Sequence, residues 1–458
     1  MTSHGSSLNK VVSLALFSVL MTTASPVFAS DDLAALTKKM EAMMNRIEKL
    51  EQDQASLVSA NQNLATENQG LKQALENIQT AAGDAPAKKA SSSGATTVPG
   101  AETTIKLGGY IKADAIGDIG SGHGADFAGF ASIPLDGSAA AEKSGDFHMH
   151  ARQTRLNLTT MTPTDDGDLK TFVEVDFYGT RGTDLATNGH NPQLRHAYGE
   201  YRGILAGQTW TNFADMSAYP ESLDYVGVVG VPVVRQVQLR YSDDLTKSLS
   251  YSLSMENPNA DFINAGSDTV VDGSNLPDIV GSLVQKTDWG HVALKGIARD
   301  ITVENETDGR ADSSVGYGAA LSAKVNVGAK DNIMGRIVYG DGIGRYIYDV
   351  ATSAQSAGYN SDRLETQSAF ASYGSYQHYW TDDLRSNFMA GYVNIDNATD
   401  LIGAARNEDI WSAHANLLWQ PHKKVRVGVE YMHGARSLEN GTDGSLDRVM
   451  GSVIYSLD

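Results

Sequence analysis

Apolar and polar residues alternate along most of the chain after Thr103. In TFVEVDF, residues 171–177, Val173 and Val175 lie on one side and Glu174 and Asp176 on the other. This period of two predicts β-strands with one apolar and one polar face. Sixteen such runs follow one another, beginning near residues 104, 147, 169, 194, 204, 235, 249, 277, 290, 314, 332, 366, 384, 409, 425 and 445.

The connections between these runs alternate in length. Short turns such as PTDDGD, TDWG and QPHKK join every second pair of strands, whereas most of the opposite connections are long and polar. Short turns at one rim and long loops at the other are typical of outer-membrane barrels. A soluble sandwich or a propeller predicts no such alternation of loop lengths. We therefore expect an all-β transmembrane barrel of about 16 antiparallel strands over residues 103–458.

The five tryptophans fall near the predicted strand ends, where aromatic girdles mark the two membrane interfaces of a barrel. They are Trp210, Trp289, Trp380, Trp411 and Trp419.

The hydrophobic period changes to seven ahead of the barrel. One apolar residue recurs at Leu36, Met43, Leu50, Leu57, Leu64, Leu71 and Ile78. A repeat sustained over this length predicts a parallel homomeric coiled coil over residues 30–79. The alternative, a single solvated helix, is disfavoured because it would leave the apolar stripe exposed to water. Its second seam position contains Gln54, Asn61 and Asn68. Such amides fix the register, and buried Asn at this seam position often favours two strands, so the sequence alone does not decide between a dimer and a trimer.

Two further segments flank the coiled coil. Lys10 precedes an apolar run that ends with Val27 and Ala29 at the small-residue cleavage positions, which predicts a secretory signal peptide over residues 1–29. Residues 80–102 are small and polar with interspersed Pro and Gly, which predicts a flexible linker. The expected order places the coiled coil in the periplasm and the barrel in the outer membrane.

The composition narrows the possible partners and chemistry. The 458 residues include 36 basic and 55 acidic side chains, and the formal net charge of −19 argues against a nucleic acid partner. The chain contains no cysteine, which excludes disulfides, thiolate metal sites and a cysteine nucleophile.

Arginines occur within predicted strands, where a soluble core would contain apolar groups. In RQTRLNL, residues 152–158, the apolar Leu156 and Leu158 are expected to face lipid, so Arg155 faces a water-filled lumen. The same parity predicts that Arg240 faces the lumen and places Arg235 at a strand end or in the preceding loop. Parity alone does not place Arg152 or Arg195.

Several motifs in this part of the chain carry a resemblance to a known family. RQTRLNL, TFVEVDFYG, LRHAYGEY, GQTWTNFAD, PESLDYVG and RQVQLRYSD occur in this order and are followed by MENP. The series resembles the DcaP-type dicarboxylate porins of Gram-negative outer membranes over most of residues 104–260. Beyond residue 260 the resemblance continues as a barrel pattern. One departure is the chain end, VIYSLD, because barrel chains commonly finish on an aromatic residue.

The resemblance implies a trimeric porin with a periplasmic helical stalk, held in lipid and lipopolysaccharide. It implies passive uptake of small anions, especially dicarboxylates, without a cofactor. The constriction that it implies is basic, and the matching positions are Arg152, Arg155, Arg195, Arg235 and Arg240.

Residues 211–234 form one of the longest connections and are unusually apolar for a loop in water. We expect this segment to fold into the barrel and narrow it. Asp215, Glu221 and Asp224 would then face or flank the arginines and create a transverse field that orients dipolar permeants. The alternative is that the arginines pair with Glu174, Asp176 and loop acids and only satisfy a polar lumen.

The sequence raises three other possible functions, namely metal binding, catalysis and tethering. His148 and His150 share one strand face and could hold a metal, but no third ligand is evident, so no metal site is predicted. No spacing singles out a Ser–His pair, so we expect neither catalytic residues nor enzyme activity. The main alternative to a porin is a tether, in which the stalk reaches toward the cell wall and the barrel is an anchor.

Overall fold

The structure is a computed structural model of the full chain. It describes residues 44–47, 49, 52, 54, 55, 62, 66, 69, 73, 95–98, 102–180, 188–232, 234–306, 308–353, 355–361 and 363–457. The chain forms two units, Met1–Lys88 and Lys89–Asp458. The predicted signal peptide lies outside the described residues, as do most of the heptad positions and most of the linker.

The described residues of the first unit, all between 44 and 73, are helical and exposed. Thr66 donates a side-chain hydrogen bond of 2.9 Å to the backbone carbonyl of Gln62, four positions earlier, as a helical threonine does. Partner strands, register and supercoiling stay predictions. Within the predicted linker, Ala95–Thr97 is a short strand that pairs antiparallel with residues 104–106.

The second unit is built from long antiparallel strands. We label them β1 Thr104–Ile119, β2 in two segments (β2a Gly145–His150 and β2b Arg155–Thr164), β3 Gly167–Asp176, β4 Gln193–Tyr201, β5 Ile204–Trp210, β6 Arg235–Asp244, β7 Leu249–Glu256, β8 Asp278–Thr287, β9 Gly290–Asn305, β10 Ala311–Val327, β11 Asp331–Asp341, β12 Ser368–Tyr379, β13 Leu384–Asp396, β14 Asn407–His422, β15 Val425–Leu438 and β16 Asp443–Ser456.

These strands close on themselves. Each pairs with its chain neighbours, and β16 pairs with β1 from Tyr110 opposite Ser456 to Ile119 opposite Asp447. The sheet contains 19 segments, of which Ala95–Thr97 and Val270–Asp272 are short additions and two belong to β2. Sixteen strands therefore make the wall, which confirms the predicted barrel. Closure pairs the first strand with the last, as a sheet in hydrocarbon requires. Among the described strands, segment β2a pairs with β1 alone.

The lengths of the connections alternate as predicted. Turns of two to four residues follow β2, β4, β6, β8, β10, β12 and β14. The opposite connections include the long segments 120–144, 177–192, 211–234, 257–277 and 342–367. Two connections at this long-loop rim, 306–310 and 439–442, are short. The long loops at 257–277 and 342–367 are joined by a parallel pairing of Phe262–Asn264 with Ala357–Asn360, and Arg363–Thr366 completes that small sheet.

Among the described residues of this unit, helical structure is confined to single turns in the connections. They are the 3-10 turns Phe130–Ser132, Met216–Ala218 and Gly344–Tyr346 and the α-helical turns Tyr348–Ala351 and Thr399–Ile402. In the part of the chain that the structure describes, no helix has the length and apolar character needed to cross a membrane.

The outer face of the wall is apolar and the inner face is polar. Along β1, Leu107 and Ile111 are exposed on the outside, whereas Lys112, Asp114 and Asp118 are buried inside. The same alternation exposes Leu156 and Leu158 on β2b and turns Arg155 inward. Four tryptophans, Trp289, Trp380, Trp411 and Trp419, are exposed on the outside.

Candidate functional site

The connection between β5 and β6, residues 211–234, lies inside the barrel, and we call it the inner loop. Its Phe213, Leu223 and Val228 are almost completely buried. It contacts inward-facing residues on strands around the wall: Leu223 accepts a hydrogen bond from Lys112 Nζ on β1, and Val229 N donates to Ser412 on β14 at 3.1 Å. Removing these apolar groups from water is favourable, and this explains why the loop folds inward.

The three acids of the inner loop fix it to the wall and to another loop. Asp215 accepts hydrogen bonds from Ser322 on β10 at 2.7 Å and lies 2.8 Å from the Nε2 atom of His291 on β9. Glu221 forms a two-pronged ion pair with Arg385 on β13, with N···O distances of 2.7 and 2.8 Å. Paired guanidinium and carboxylate groups of this geometry are strong and directional.

Asp224 connects the inner loop to the loop after β1. Its carboxylate accepts backbone hydrogen bonds from Ala128 at 2.8 Å and from Val226 at 2.9 Å. Among the described residues, no ion pair joins Asp215, Glu221 or Asp224 to any of the five predicted arginines. The transverse arrangement of these acids against the arginines is therefore not formed by direct contact. Their carboxylates instead hold the loop in place.

Between the inner loop and the wall lies a cavity of about 460 Å³, which we call the arginine cavity. Three of the predicted arginines line it, Arg155 from β2b, Arg195 from β4 and Arg235 at the start of β6. The remaining lining is mostly aromatic and comes from the wall and from four loops: Phe127, Tyr178, His196, Trp210, Tyr219, Tyr225 and Tyr348.

Arg195 reaches the cavity because β4 contains a β-bulge. The pairing with β3 passes from Glu174 opposite His196 to Val175 opposite Leu194, so Arg195 has no partner of its own in the ladder. A bulge of this kind turns two consecutive side chains to the same face. Arg195 and His196 are both buried for this reason.

Arg195 is neutralised by two wall carboxylates. Its Nε atom lies 2.8 Å from Glu174 and its Nη1 atom 2.7 Å from Asp176. The hydroxyl group of Tyr225 donates to Asp176 at 2.9 Å and accepts from Arg195 at 2.9 Å and from Arg235 at 3.3 Å. The contacts of Arg195 therefore match the alternative stated above, in which an arginine pairs with Glu174 and Asp176.

Arg155 and Arg235 differ from Arg195 in their surroundings. Neither has a carboxylate within 4.0 Å among the described residues. Arg155 lies over the ring of Tyr110, 5.4 Å from its centroid, and Arg235 over Trp210 at 4.9 Å. An arginine stacked on an aromatic ring keeps its charge and its donors available to a ligand. The cavity therefore contains two cations that protein carboxylates do not cancel.

The sequence profile of the DcaP outer membrane protein family matches residues 29–456 of the chain. The chain belongs to this family.

Solved structures of other proteins agree with the fold. The crystal structure of the outer membrane channel DcaP of Acinetobacter baumannii aligns with a TM-score of 0.69 at 23% identity, covering 79% of this chain and 99% of that one. An anion-selective porin from Comamonas acidovorans aligns with a TM-score of 0.51 at 9% identity, covering 78% of this chain and 100% of that one. A comparison with curated proteins gave no match. These two structures are described as an outer membrane channel and an anion-selective porin, and they share the barrel fold of this chain.

The other two predicted arginines of this DcaP-family barrel lie outside the arginine cavity. Arg152 lies in the turn between β2a and β2b, where it forms an ion pair with Asp126 and donates to the carbonyls of Phe177 and Gly179 at 3.2 Å. The inward parity changes from even to odd numbers across this turn, which explains why parity could not place Arg152. Arg240 faces the lumen in the half of β6 nearer the short turns, as predicted.

The aromatic lining was not identified from the sequence. Trp210 was assigned to a membrane girdle because it ends a strand, but that assignment is wrong. Its ring lies inside the DcaP-family barrel beside Arg235 and 6.0 Å from Arg195. Tyr178 and Tyr225 come from loops, where period-two reasoning gives no orientation. The useful signal in the sequence was the abundance of tyrosine, 19 residues, beside strand-borne arginines.

Proposed function

We propose that the protein lets small anions diffuse across the outer membrane through the arginine cavity, with dicarboxylates favoured. The observation that carries this proposal is the pair Arg155 and Arg235, two cations on one cavity without a carboxylate partner among the described residues. A guanidinium binds a carboxylate through two parallel hydrogen bonds, so two of them suit a solute with two carboxylates.

The surroundings favour passage over tight binding. Arg195 adds donors, but Glu174 and Asp176 together carry one charge more than it does. The three arginines and these two carboxylates therefore leave a net charge of only +1 at the cavity. Aromatic rings make up most of the remaining wall, and the hydroxyl groups of Tyr178, Tyr219 and Tyr225 already donate to protein acceptors, so few free donors remain to retain an anion. A channel has to release what it attracts, and moderate attraction of this kind meets that requirement.

The test compares channels in planar lipid bilayers. The double variant Arg155→Ala/Arg235→Ala is expected to lower the preference for chloride over potassium. The succinate concentration for half-block of the current should rise about ten-fold or more, because each lost charge-assisted contact is worth ~1.5–3 kcal/mol. Propionate, with one carboxylate, should block wild type less than succinate does.

The matched control is Arg202→Ala. Arg202 lies in the short turn after β4, is 61% exposed at its side chain and is 3.5 Å from Asp166, so its loss removes one positive charge, as each single variant at Arg155 or Arg235 does, without touching the cavity. Unchanged succinate block and selectivity in the double variant, with normal conductance, would show that these arginines do not form the constriction.

The stalk and the oligomer belong to the same proposal. The heptads over 30–79 support a helical stalk in the periplasm without deciding between two and three strands. The homotrimer rests on the resemblance to DcaP-type porins, and native mass spectrometry of the full mature chain tests it directly. The alternative function, a tether that anchors the stalk toward the cell wall, predicts inserted barrels that carry no current. The heptad pattern alone is compatible with both functions.

A further inference from the structure

A second polar site lies beside the arginine cavity, where β1 and β2a meet the loop 120–144. His148 and His150 alternate on β2a and so present their rings to the same face. Their ring centroids are 6.1 Å apart with an interplanar angle of 28°. Asp126, from the loop, completes the group: one potential ligand atom from each of the three residues lies within 4.8 Å of the other two. We call these three residues the histidine cluster.

The contact between His148 and Asp126 leaves ligand atoms available. His148 Nε2 lies 3.3 Å from Asp126 Oδ1, yet among the described residues it has no partner in hydrogen-bonding geometry. The other oxygen of Asp126 is engaged by Arg152, which is itself fixed by backbone carbonyls. An outer residue that orients a carboxylate in this way is common around bound metals.

The side chain of His150 is only 4% exposed, and both of its ring nitrogens have close contacts. Its Nε2 atom lies 3.1 Å from the backbone oxygen of Asp126. Its Nδ1 atom accepts a hydrogen bond from the backbone N–H of Arg152 at 3.3 Å and lies 3.8 Å from Asp114 Oδ2. That buried oxygen of Asp114 has no hydrogen-bond partner in the described part of the chain. Asp114 Oδ2 is therefore a fourth potential ligand atom close to the cluster.

A cavity of about 480 Å³ adjoins the cluster, and it provides a route for an ion and room for water ligands. Asp114, Asp126, His148, His150, Asn188 and His190 line it.

We propose that Asp126, His148 and His150 bind a divalent late transition metal ion such as Zn²⁺. Two imidazole nitrogens and one carboxylate oxygen are a common ligand set for zinc and for non-haem transition metals with open positions. Nitrogen ligands disfavour Mg²⁺ and Ca²⁺, which prefer all-oxygen shells. Water or Asp114 completes the coordination. The site needs no anion passage, so it stands independently of the proposed function.

The test is calorimetric titration of Zn²⁺ into tag-free, metal-stripped, detergent-solubilised full chain. We expect one tight site per chain, with no comparable heat from Mg²⁺ or Ca²⁺. His148→Ala/His150→Ala should weaken binding by more than the ~10–100-fold that loss of an outer-shell partner costs. The matched control is His433→Ala, because His433 lies 2.8 Å from Asp447 in a His–carboxylate pair that belongs to no three-residue cluster in the described chain.

A second variant and a second measurement guard against misfolding. Asp126→Asn keeps the size of the side chain, should fold as wild type by heat-modifiable gel migration, and is expected to lose affinity as well. X-ray absorption at the zinc edge should report a shell with two imidazoles in wild type. The proposal fails if wild type binds no Zn²⁺, if the cluster variants bind it as wild type does, or if His433→Ala loses as much affinity as they do.

Discussion

The rings of Tyr178 and Tyr225 are stacked, with their centroids 4.0 Å apart and their planes at 28°. Tyr178 follows β3, and Tyr225 lies in the inner loop. The stack therefore joins the connection after β3 to the inner loop at the arginine cavity. It holds the Tyr225 hydroxyl where it accepts from Arg195 and Arg235 and donates to Asp176.

Tyr225→Phe is predicted to keep the stack and remove this hydroxyl. Arg235 then loses a partner, so its guanidinium should become more mobile and succinate block should weaken. Because hydrogen bonds to charged groups contribute ~1.5–3 kcal/mol, the barrel should also lose stability in that range at most. Succinate block of the current in planar bilayers checks the first effect, and the apparent melting temperature in detergent checks the second. Tyr317→Phe, on the exposed outer face of β10, is the control. A block curve identical to wild type would contradict this role of the hydroxyl.

Gly391 on β13 is predicted to be intolerant of a side chain because the inner loop crosses it. A Cβ atom at this position would lie 2.0 Å from the backbone oxygen of Val229, so Gly391→Ala has to displace the loop. We expect a lower melting temperature and a changed single-channel conductance. Overpacking of this type typically costs ~1–3 kcal/mol.

The control for this substitution is Gly451→Ala on β16, where an added Cβ would meet nothing within 4 Å. It should behave as wild type. If both variants conduct and melt alike, the inner loop does not rest against β13 in the membrane.

Asp349 connects the long loop 342–367 to the inner loop and should make stability depend on pH. Its carboxylate accepts the backbone N–H of Gly230 at 2.9 Å. Burial raises the pKa of Asp349 from 3.8 to about 6. The folded state therefore binds the proton more tightly than the unfolded state does between these values. This contribution to stability is complete below about pH 4 and is lost as the pH rises to about 6.

Asp349→Asn resembles the protonated form at every pH. The difference in melting temperature between this variant and wild type should grow between about pH 4 and 6 and then level off. The corresponding gain in the free energy of unfolding is up to roughly 3 kcal/mol. Melting curves over this pH range, with Asp382→Asn as a control at an exposed side chain in a short turn, test the effect. If the melting temperatures of Asp349→Asn and wild type differ by the same amount at every pH in this range, Asp349 is not the source of the pH dependence.

The wall was predictable because lipid and water impose opposite demands on alternate residues. Each predicted strand start lies within a few residues of an observed one, and even β16, whose chain end lacks a terminal aromatic residue, runs from Asp443 to Ser456 with Tyr455 opposite Ile111 and Val425. Arg155 and Arg240 followed from parity for the same reason. Within a regular strand, the contrast between lipid outside the barrel and water inside it therefore determines which face each side chain occupies.

The parts of the site that could not be predicted lie where regular pairing stops. Arg152 lies in a turn within β2, and Trp210 ends its strand. Asp126, the carboxylate that completes the histidine cluster, lies in a loop more than twenty positions before His148. Loop conformation depends on contacts distant in sequence, which no local period encodes.

The bulge at Arg195 changes how this cavity has to be compared between relatives. A homologue with one residue fewer in β4 would have regular pairing, and one of its two adjacent side chains would point to lipid. An alignment without a gap at this position would then equate a pore residue with a membrane-facing one. Equivalent arginines in such relatives should be assigned by superposition in space, and loss of the basic residue from this column does not by itself mean loss of the charge from the channel.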